Sequence, residues 1–450
     1  MNLWKKVKDM TKGSSTKLIL NFALPLILAN LGQQLYMVID AMIVGRGVGV
    51  KALAAVGATD WTYWLVLWVI QALTQGFSTC IAQYFGEKNL KDLKCSIAIS
   101  VKLCIGFGIL LTILGVSMAS PMLKLLDTPQ NIYQGACSYL ITMFSGTMIV
   151  MAFNMAASIL RALGNGRTPM IAMAIAAILN ILLDLLLVIV CNLGIIGAAV
   201  ATLIAQLVAF LYCFIALSKI SMIRLKRKDW KWKPVVVKKL CNMGLPLGLQ
   251  HVMIAVGGMI LQSTINEQGF LFVAGFTATN KVYGLLESSA VALGYAVTTY
   301  TAQNYGAGLK KRICQGIKSS VIIGILMSIC ISAFMIIFGK HILSLFISAS
   351  DYGAEDALKI AYHLLFIMSS LLSSLYLLHI FRNLLQGMGN AIAPMVSGLV
   401  EFFMRVLIAT IFIKIAGQPI LFFAETSAWI GAALVSIIAA IWKLKTYQTS

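Results

Sequence analysis

The chain has 450 residues, 60% of them hydrophobic and only 11% charged, with a mean hydropathy of +0.91. Soluble globular proteins carry about 25% charge, so a water-soluble globular fold is excluded. The net charge of +20 invites a nucleic-acid partner, but where the charges fall gives it another meaning.

Apolar runs long enough to cross a bilayer recur along the whole chain. We read twelve spans, at 17–45, 57–84, 95–120, 132–160, 169–191, 195–218, 240–266, 271–303, 319–339, 361–388, 394–416 and 420–442. The fold class is therefore an all-α polytopic membrane protein with twelve transmembrane helices. The first 17 residues are basic, and the run behind them is too long for a signal peptide; they read as an interfacial segment. With that end cytoplasmic, the inner segments hold 25 Lys and Arg, among them Lys5, Lys6, Lys88, Arg161, Lys310 and nine between Lys219 and Lys239. The outer segments hold six: Arg46, Lys51, Lys124, Lys340, Lys359 and Lys414. This is the positive-inside bias, and it predicts both termini in the cytoplasm. The basic excess is topology; the bilayer is a partner and nucleic acid is not.

Span 1 begins near Asn21-Phe-Ala-Leu-Pro25, and span 7 near Asn242-Met-Gly-Leu-Pro246. Span 2 ends on Ala82-Gln-Tyr-Phe-Gly86, and span 8 on Ala302-Gln-Asn-Tyr-Gly306. Leu163-Gly-Asn165 with Pro169 returns as Met388-Gly-Asn390 with Pro394. Three matches in order, at offsets of 221, 220 and 225, read as a duplication. Six spans per copy give both copies the same sense across the membrane, so the lobes should be related by a pseudo-two-fold axis along its normal. The predicted division is a lobe at 1–218, a basic cytoplasmic linker at 219–239 and a lobe at 240–450. The linker's Asp229-Trp-Lys-Trp-Lys-Pro234 suits the headgroup interface. Gly164-Asn-Gly166 follows no strand, and its second copy has Ala391 for the second glycine, so it reads as a helix turn and not a phosphate loop. The nine cysteines are scattered and read as small apolar packers, with no metal spacing.

Span 5, 169–191, opens with Pro169 and carries Asn180 and Asp184 four apart, on one helix face. A carboxyl in hydrocarbon normally faces protein or a wet cavity and has a job; an interhelical packing pair is the plainer alternative. Asp40 in span 1 lies at a similar outer depth. Two carboxylates in a low-dielectric site cannot both stay ionised cheaply, so such a pair can take up and release a proton. With the Asn180 carbonyl and the Thr202 hydroxyl, the same oxygens also suit Na⁺. The second copy differs: Arg405 stands where Asn180 does, and Glu401 and Arg405 are spaced for an intrahelical ion pair, which we read as structural. Lys281 and Arg382 are further cations inside spans. Glu287, with no partner visible in the sequence, is a second candidate for protonation or for a cationic substrate.

Together Met37-Val-Ile-Asp40, Val44-Gly45-Arg46, Gln83 to Gly86, Arg161-Ala-Leu-Gly-Asn165, Asn180-Ile-Leu-Leu-Asp184 and Leu385-Gln-Gly-Met-Gly389 resemble the multidrug and toxin extrusion (MATE) family, over about residues 15–440. Within it the chain is most similar to the bacterial DNA-damage-inducible-F-like branch. That resemblance implies a polar ion-coupling cluster in the first lobe, at Asp40, Asn154, Asn180, Asp184 and Thr202. The sodium-coupled branch instead uses acids in spans 7 and 10, and 240–265 and 361–388 contain no Asp or Glu. The implied function is a cation-coupled antiporter in the bacterial cytoplasmic membrane, a monomer exporting lipophilic, cationic small molecules by alternating access. H⁺ is the favoured coupling ion and Na⁺ the alternative. A cavity with Met151, Phe153 and Met173 would tolerate varied ligands. A lipid-linked oligosaccharide flippase of the same superfamily is the rival, kept open by Lys281, Arg382 and Arg405. A membrane-embedded enzyme needs a nucleophile with its base, or a metal cluster, and neither is assembled in the sequence. No cofactor is called for.

Overall fold

Inside a bilayer every backbone N–H and C=O must find its partner within the protein, and this chain closes those bonds as helix. The computed structural model describes residues 7–449 apart from 127 and 348–352; Lys5 and Lys6 of the basic leading segment lie outside the described residues. Among the described residues there is no strand. The α-helices are α1 (Ser15–Gly47), α2 (Val50–Gly86), α3 (Leu90–Leu125), α4 (Gln130–Ser145), α5 (Thr147–Ala162), α6 (Arg167–Asp184), α7 (Gly194–Ser218) and α8 (Pro234–Asn266). They continue as α9 (Phe270–Gly306), α10 (Lys310–Leu343), α11 (Ala354–Ser370), α12 (Leu372–Gly387), α13 (Ile392–Leu407), α14 (Ile413–Ala416) and α15 (Ala424–Thr449).

Nine helical segments among the described residues are long and apolar enough to cross a membrane. Two more spans appear when α4 with α5, and α11 with α12, are each counted as one, bent by 46° and 49°. The stretches read as single helices at 132–160 and 361–388 are therefore broken ones. At each break the ladder tightens to i→i+3 bonds, Ile149 N–H to Gly146 O at 2.9 Å and Ser374 N–H to Leu371 O at 3.0 Å, which swings the following helix. The twelfth span is α9, whose 37 residues carry enough polar side chains to lower its hydropathy.

The duplication is written in the backbone as well as in the motifs. Left-handed residues recur at Gly49 and Gly269, Lys88 and Gly308, Gly164 and Gly389, and Asn192 and Gly417, at offsets of 220, 220, 225 and 225. A wide π-helical turn follows α6 at Leu185–Val190, and another follows α13 at Ile408–Phe412. Packing repeats too: α2 lies against α3, α4 and α5 as α9 does against α10, α11 and α12, and α6 pairs with α7 as α13 does with α15.

By internal contacts the chain forms two units, Met1–Met10 with Leu24–Gly248, and Thr11–Ala23 with Leu249–Ser450. The divisions cut α1 and α8 beside Pro25 and Pro246. These prolines were expected at helix starts, yet both lie well inside. Each removes one N–H from the ladder, a loss that a long helix with packed neighbours absorbs.

In the first unit, Ala55, Ala119, Leu123, Ala136, Leu140 and Phe144 form a buried core where α2, α3 and α4 meet. The start of α8 crosses α2 so closely that a Cβ on Gly76 would lie 2.6 Å from the Gly244 Cα, the small-residue approach on which membrane helices depend. In the second unit a buried core forms where α9, α10, α12 and α15 meet, from Val297, Ile313, Leu384, Leu385, Met388 and Ala440. There the segment leading into α1 is held by a Ser15–Tyr300 hydroxyl bond of 2.7 Å and by Arg312 Nη1 donating to Gly13 O at 2.9 Å. Outward-facing side chains such as Ile113, Leu326 and Ile438 are 59–66% exposed, as a lipid-facing surface requires.

Two outcomes follow from this packing. Lys8 N–H donates to Leu163 O at 3.0 Å, and a Cβ on Gly164 (φ +79°) would sit 2.1 Å from the Lys8 carbonyl oxygen. Gly13 has φ +91° but open space around it. Gly13→Ala should therefore cost only the left-handed conformation, about 1–2 kcal/mol, and Gly164→Ala distinctly more, read as the larger fall in melting temperature in detergent micelles.

Outside the membrane, Lys233 Nζ bonds Asp92 Oδ1 at 3.0 Å, holding Asp92 below its ordinary pKa, while Asp92 raises that of Lys233. A lowered carboxyl stabilises the fold above its unfolded value of about 3.9 and loses that contribution as pH falls. The raised lysine contributes below about 10.4 and loses it at higher pH. Both groups are partly exposed, so the pair is worth no more than about 1 kcal/mol. Cleavage of the 219–239 segment by an acid-active protease should rise below about pH 4, and Lys233→Gln should flatten that dependence.

Candidate ion- and substrate-binding site

Two polar constellations lie at membrane depth, one in each unit, and their chemistry differs. In the first, α6 delivers Asn180 and Asp184 from one face, 2% and 0% exposed. Asp184 is the last residue before the π-helical turn, whose wider winding displaces the following side chains; such turns often mark functional positions. Asp40, on α1, has its carboxyl hydrogen-bonded to that of Asp184. Two carboxyl groups can bond in this way only when one holds the proton. Asp40 Oδ1 is buried with no hydrogen-bond partner among the described residues. On α7, Thr202 Oγ1 accepts from Asn180 Nδ2 at 3.3 Å.

Four of the five residues read from the sequence, Asp40, Asn180, Asp184 and Thr202, thus meet in two bonded pairs joined through α6. Asn154 is buried on α5 and donates to Val150 O of its own helix at 2.9 Å; it makes no hydrogen bond to the other four. A crevice opens beside Asn180 and Thr202, lined also by Tyr36, Met173 and Gln206. Met173 lines it as expected, whereas Met151 and Phe153 are buried in helix packing. The sequence reading missed Tyr36 and Gln206, although each lies four residues from a chosen one, Asp40 and Thr202. Tyr139 lies within electrostatic reach of Asp40 and Asp60. Asp60 sits ten residues inside α2, which begins earlier than the span expected from residue 57.

The second unit pairs opposite charges. Arg382 on α12 donates to Glu401 on α13 and to Ser397 Oγ at 2.7 Å. Arg405 Nη2 reaches Glu401 Oε2 at 3.4 Å and Glu425 Oε2 at 2.7 Å, while its Nε bonds Glu425 Oε1 at 3.1 Å. The i, i+4 pair of Glu401 and Arg405 is thus the middle of a neutral four-residue chain. Its strongest geometry, the forked Arg405–Glu425 contact, was not foreseen, because Glu425 lies near the start of the last predicted span. Glu287 on α9 has neighbours: His379 Nε2 stands 3.9 Å from its Oε1, and Tyr283 is hydrogen-bonded to it. Tyr283 in turn stacks on Trp429, ring centroids 5.7 Å apart. Lys281 is exposed and takes no part in this network.

The described residues thus form a many-helix membrane protein with a distinct polar constellation in each of its two units. The MatE family model matches residues 25–186 and 246–411, one match for each copy of the repeat, and the chain belongs to the MatE family. It is 30% identical over 349 residues to "Probable multidrug resistance protein YpnP" of Bacillus subtilis, covering 77% of this chain and 78% of that one. It is 24% identical over 441 residues to "Probable multidrug resistance protein NorM" of Thermotoga maritima, covering 95% and 91%. The fold is shared with a MOP superfamily transporter from Pyrococcus furiosus, at a TM-score of 0.92 and 21% identity over 98% of each chain.

Removing one member of a buried ion network strands its partner's charge, at about 3–5 kcal/mol. Glu425→Gln should therefore lower the melting temperature and the yield of folded protein, while Lys281→Gln should leave both unchanged. Size-exclusion profiles after graded heating check this.

Proposed function

We propose that the protein is a proton-coupled multidrug exporter, and the observation that carries this is the hydrogen-bonded Asp40–Asp184 pair. A proton shared by two buried carboxyls is released when a cation arrives to balance the second negative charge, and is regained when the cation leaves. That exclusion makes proton entry and substrate exit alternate, as antiport requires. Asp40 and Asp184 carry the proton, Asn180 and Thr202 hold the polar wall beside them, and Asn154 stiffens the neighbouring α5. The aromatic and Met side chains at the crevice suit lipophilic cations. The names of the relatives in Bacillus and Thermotoga, both multidrug resistance proteins, support the same substrate breadth. The protein works as a monomer in the bacterial cytoplasmic membrane with both termini inside, its lobes at 1–218 and 240–450 joined by the linker 219–239. The absence of acids in 240–265 and 361–388 favours the DNA-damage-inducible-F-like branch. It is not an enzyme.

Na⁺ coupling is the second reading, favoured by the buried Asp40 Oδ1, which has no hydrogen-bond partner among the described residues, in a carboxyl bonded to that of Asp184. A flippase for pyrophosphate-linked sugars needs several free cations in its cavity; of the three candidates Arg382 and Arg405 are neutralised by Glu401 and Glu425, leaving Lys281 outside the network, which favours the exporter.

In proteoliposomes an imposed ΔpH, inside acidic or alkaline as orientation demands, should drive uptake or release of a fluorescent lipophilic cation in sodium-free buffer. Asp184→Asn and Asp40→Asn should each abolish the ΔpH-driven flux in a protein that still inserts and melts normally. An absolute need for Na⁺ with no response to ΔpH would replace the proton by sodium at the same residues. If one H⁺ exchanges for one monovalent cation, membrane voltage should not change the flux; a second proton would add about 2.3 kcal/mol per 100 mV.

A further inference from the structure

Lys102 is a lysine twelve residues into α3, within a stretch expected to cross the membrane, and the transport cycle proposed above gives it no role. Its ammonium donates to the Trp230 carbonyl oxygen at 2.6 Å and lies 5.9 Å from the ring centroids of both Trp230 and Trp232. A long side chain that snorkels out of an apolar helix thus ends under the linker and pins its two indoles. Two further contacts hold the same segment. Lys233 bonds Asp92 on α3, and the buried Asp229 accepts from Lys226 N–H at 2.7 Å.

These contacts engage the carboxylates of Asp92 and Asp229. Arg224, Arg227, Lys228 and Lys231 are left exposed, with no ion pair among the described residues. Beside them Trp230, Trp232 and Val235 are 37%, 55% and 79% exposed. Cations facing water call for an anion, and indoles next to them call for an apolar or interfacial surface. An acidic protein or a nucleic acid would meet the first need and leave Trp232 and Val235 in water. The headgroup layer of a bilayer meets both, because indole prefers that depth and anionic lipids concentrate there.

We propose that the Lys102-clamped linker is a binding site for the phosphate headgroups of anionic phospholipids, with Arg227, Lys228 and Lys231 as the phosphate-binding cations and Trp230 and Trp232 as the interfacial anchors. The site does not depend on the exported substrate or the coupling ion, so it stands or falls separately from the transport reading.

The test uses the full chain in vesicles of phosphatidylcholine containing equal fractions of brominated phosphatidylglycerol or brominated phosphatidylcholine, with tryptophan fluorescence as the readout. The signal of interest is the difference between the native chain and Trp230→Phe/Trp232→Phe. Brominated phosphatidylglycerol should quench that component at least about twofold more than brominated phosphatidylcholine. Salt at about 0.5 M should remove the preference, since screening then acts within roughly 4–5 Å. Arg227→Gln/Lys228→Gln/Lys231→Gln should also remove it while keeping quenching by phosphatidylcholine. Lys102→Met should reduce quenching by both lipids, and Lys102→Arg, which keeps the cation, should restore it. Equal quenching of the native chain by the two lipids would overturn the proposal, as would a preference that survives the triple substitution. Loss of the phosphatidylglycerol preference on adding tRNA in low salt would reassign the surface to nucleic acid.

Discussion

A charge carried into a low-dielectric interior must be neutralised there, by an opposite charge or by a proton, and each unit of this protein uses a different one of these solutions. The second unit matches two guanidiniums with two carboxylates, Arg382 and Arg405 with Glu401 and Glu425. The first unit instead bonds the carboxyl of Asp40 to that of Asp184, two like charges that a shared proton or a bound cation would relieve. Opposite charges held at hydrogen-bond distance are stable and slow to change. Like charges sharing a proton are poised to exchange it. The two copies of the duplicated fold thus carry different polar chemistry, which on the reading proposed above makes the first the exchange site and the second its scaffold.

That asymmetry rests on a symmetric backbone. The two copies break their fourth helical span at corresponding points, turn with left-handed residues at a constant offset, and widen into π-helical turns after α6 and α13. Asn180 and Arg405 occupy the same place in that repeat, and so do the surfaces of α7 and α15 packed against them. An amide and a guanidinium at one position call for different neighbours: Glu401 and Glu425 supply carboxylates to Arg405, whereas Asn180 donates to the Thr202 hydroxyl. Backbone geometry was retained and the side chains diverged as matched groups.

The basic residues show the same economy of charge at the membrane edge. Lys102 and Lys233 fasten the linker to α3 through a carbonyl, two indoles and Asp92, and the remaining cations face outward. On the readings proposed above, the charge bias that would orient the chain across the membrane also positions a surface for the lipid next to it.

Hydropathy, charge bias and the spacing of repeated motifs together determined the all-helical, membrane-spanning class and the duplication, because period, length and motif spacing are one-dimensional properties. The same is true of Asn180 with Asp184 and of Glu401 with Arg405, whose four-residue spacing puts them on one helix face in any helix. Contacts between helices belong to the tertiary structure. Only there does Asp40 find Asp184, does Arg405 find the forked carboxylate of Glu425, and does Glu287 acquire His379 and Tyr283 as neighbours. The bends at Gly146 and Leu371, and the position of Pro25 and Pro246 well inside their helices, were also decided by packing. The physical reason is common to all of these: a helix's own hydrogen bonds are local and written in its sequence, but the partner of a buried side chain depends on which helix face the fold brings opposite it.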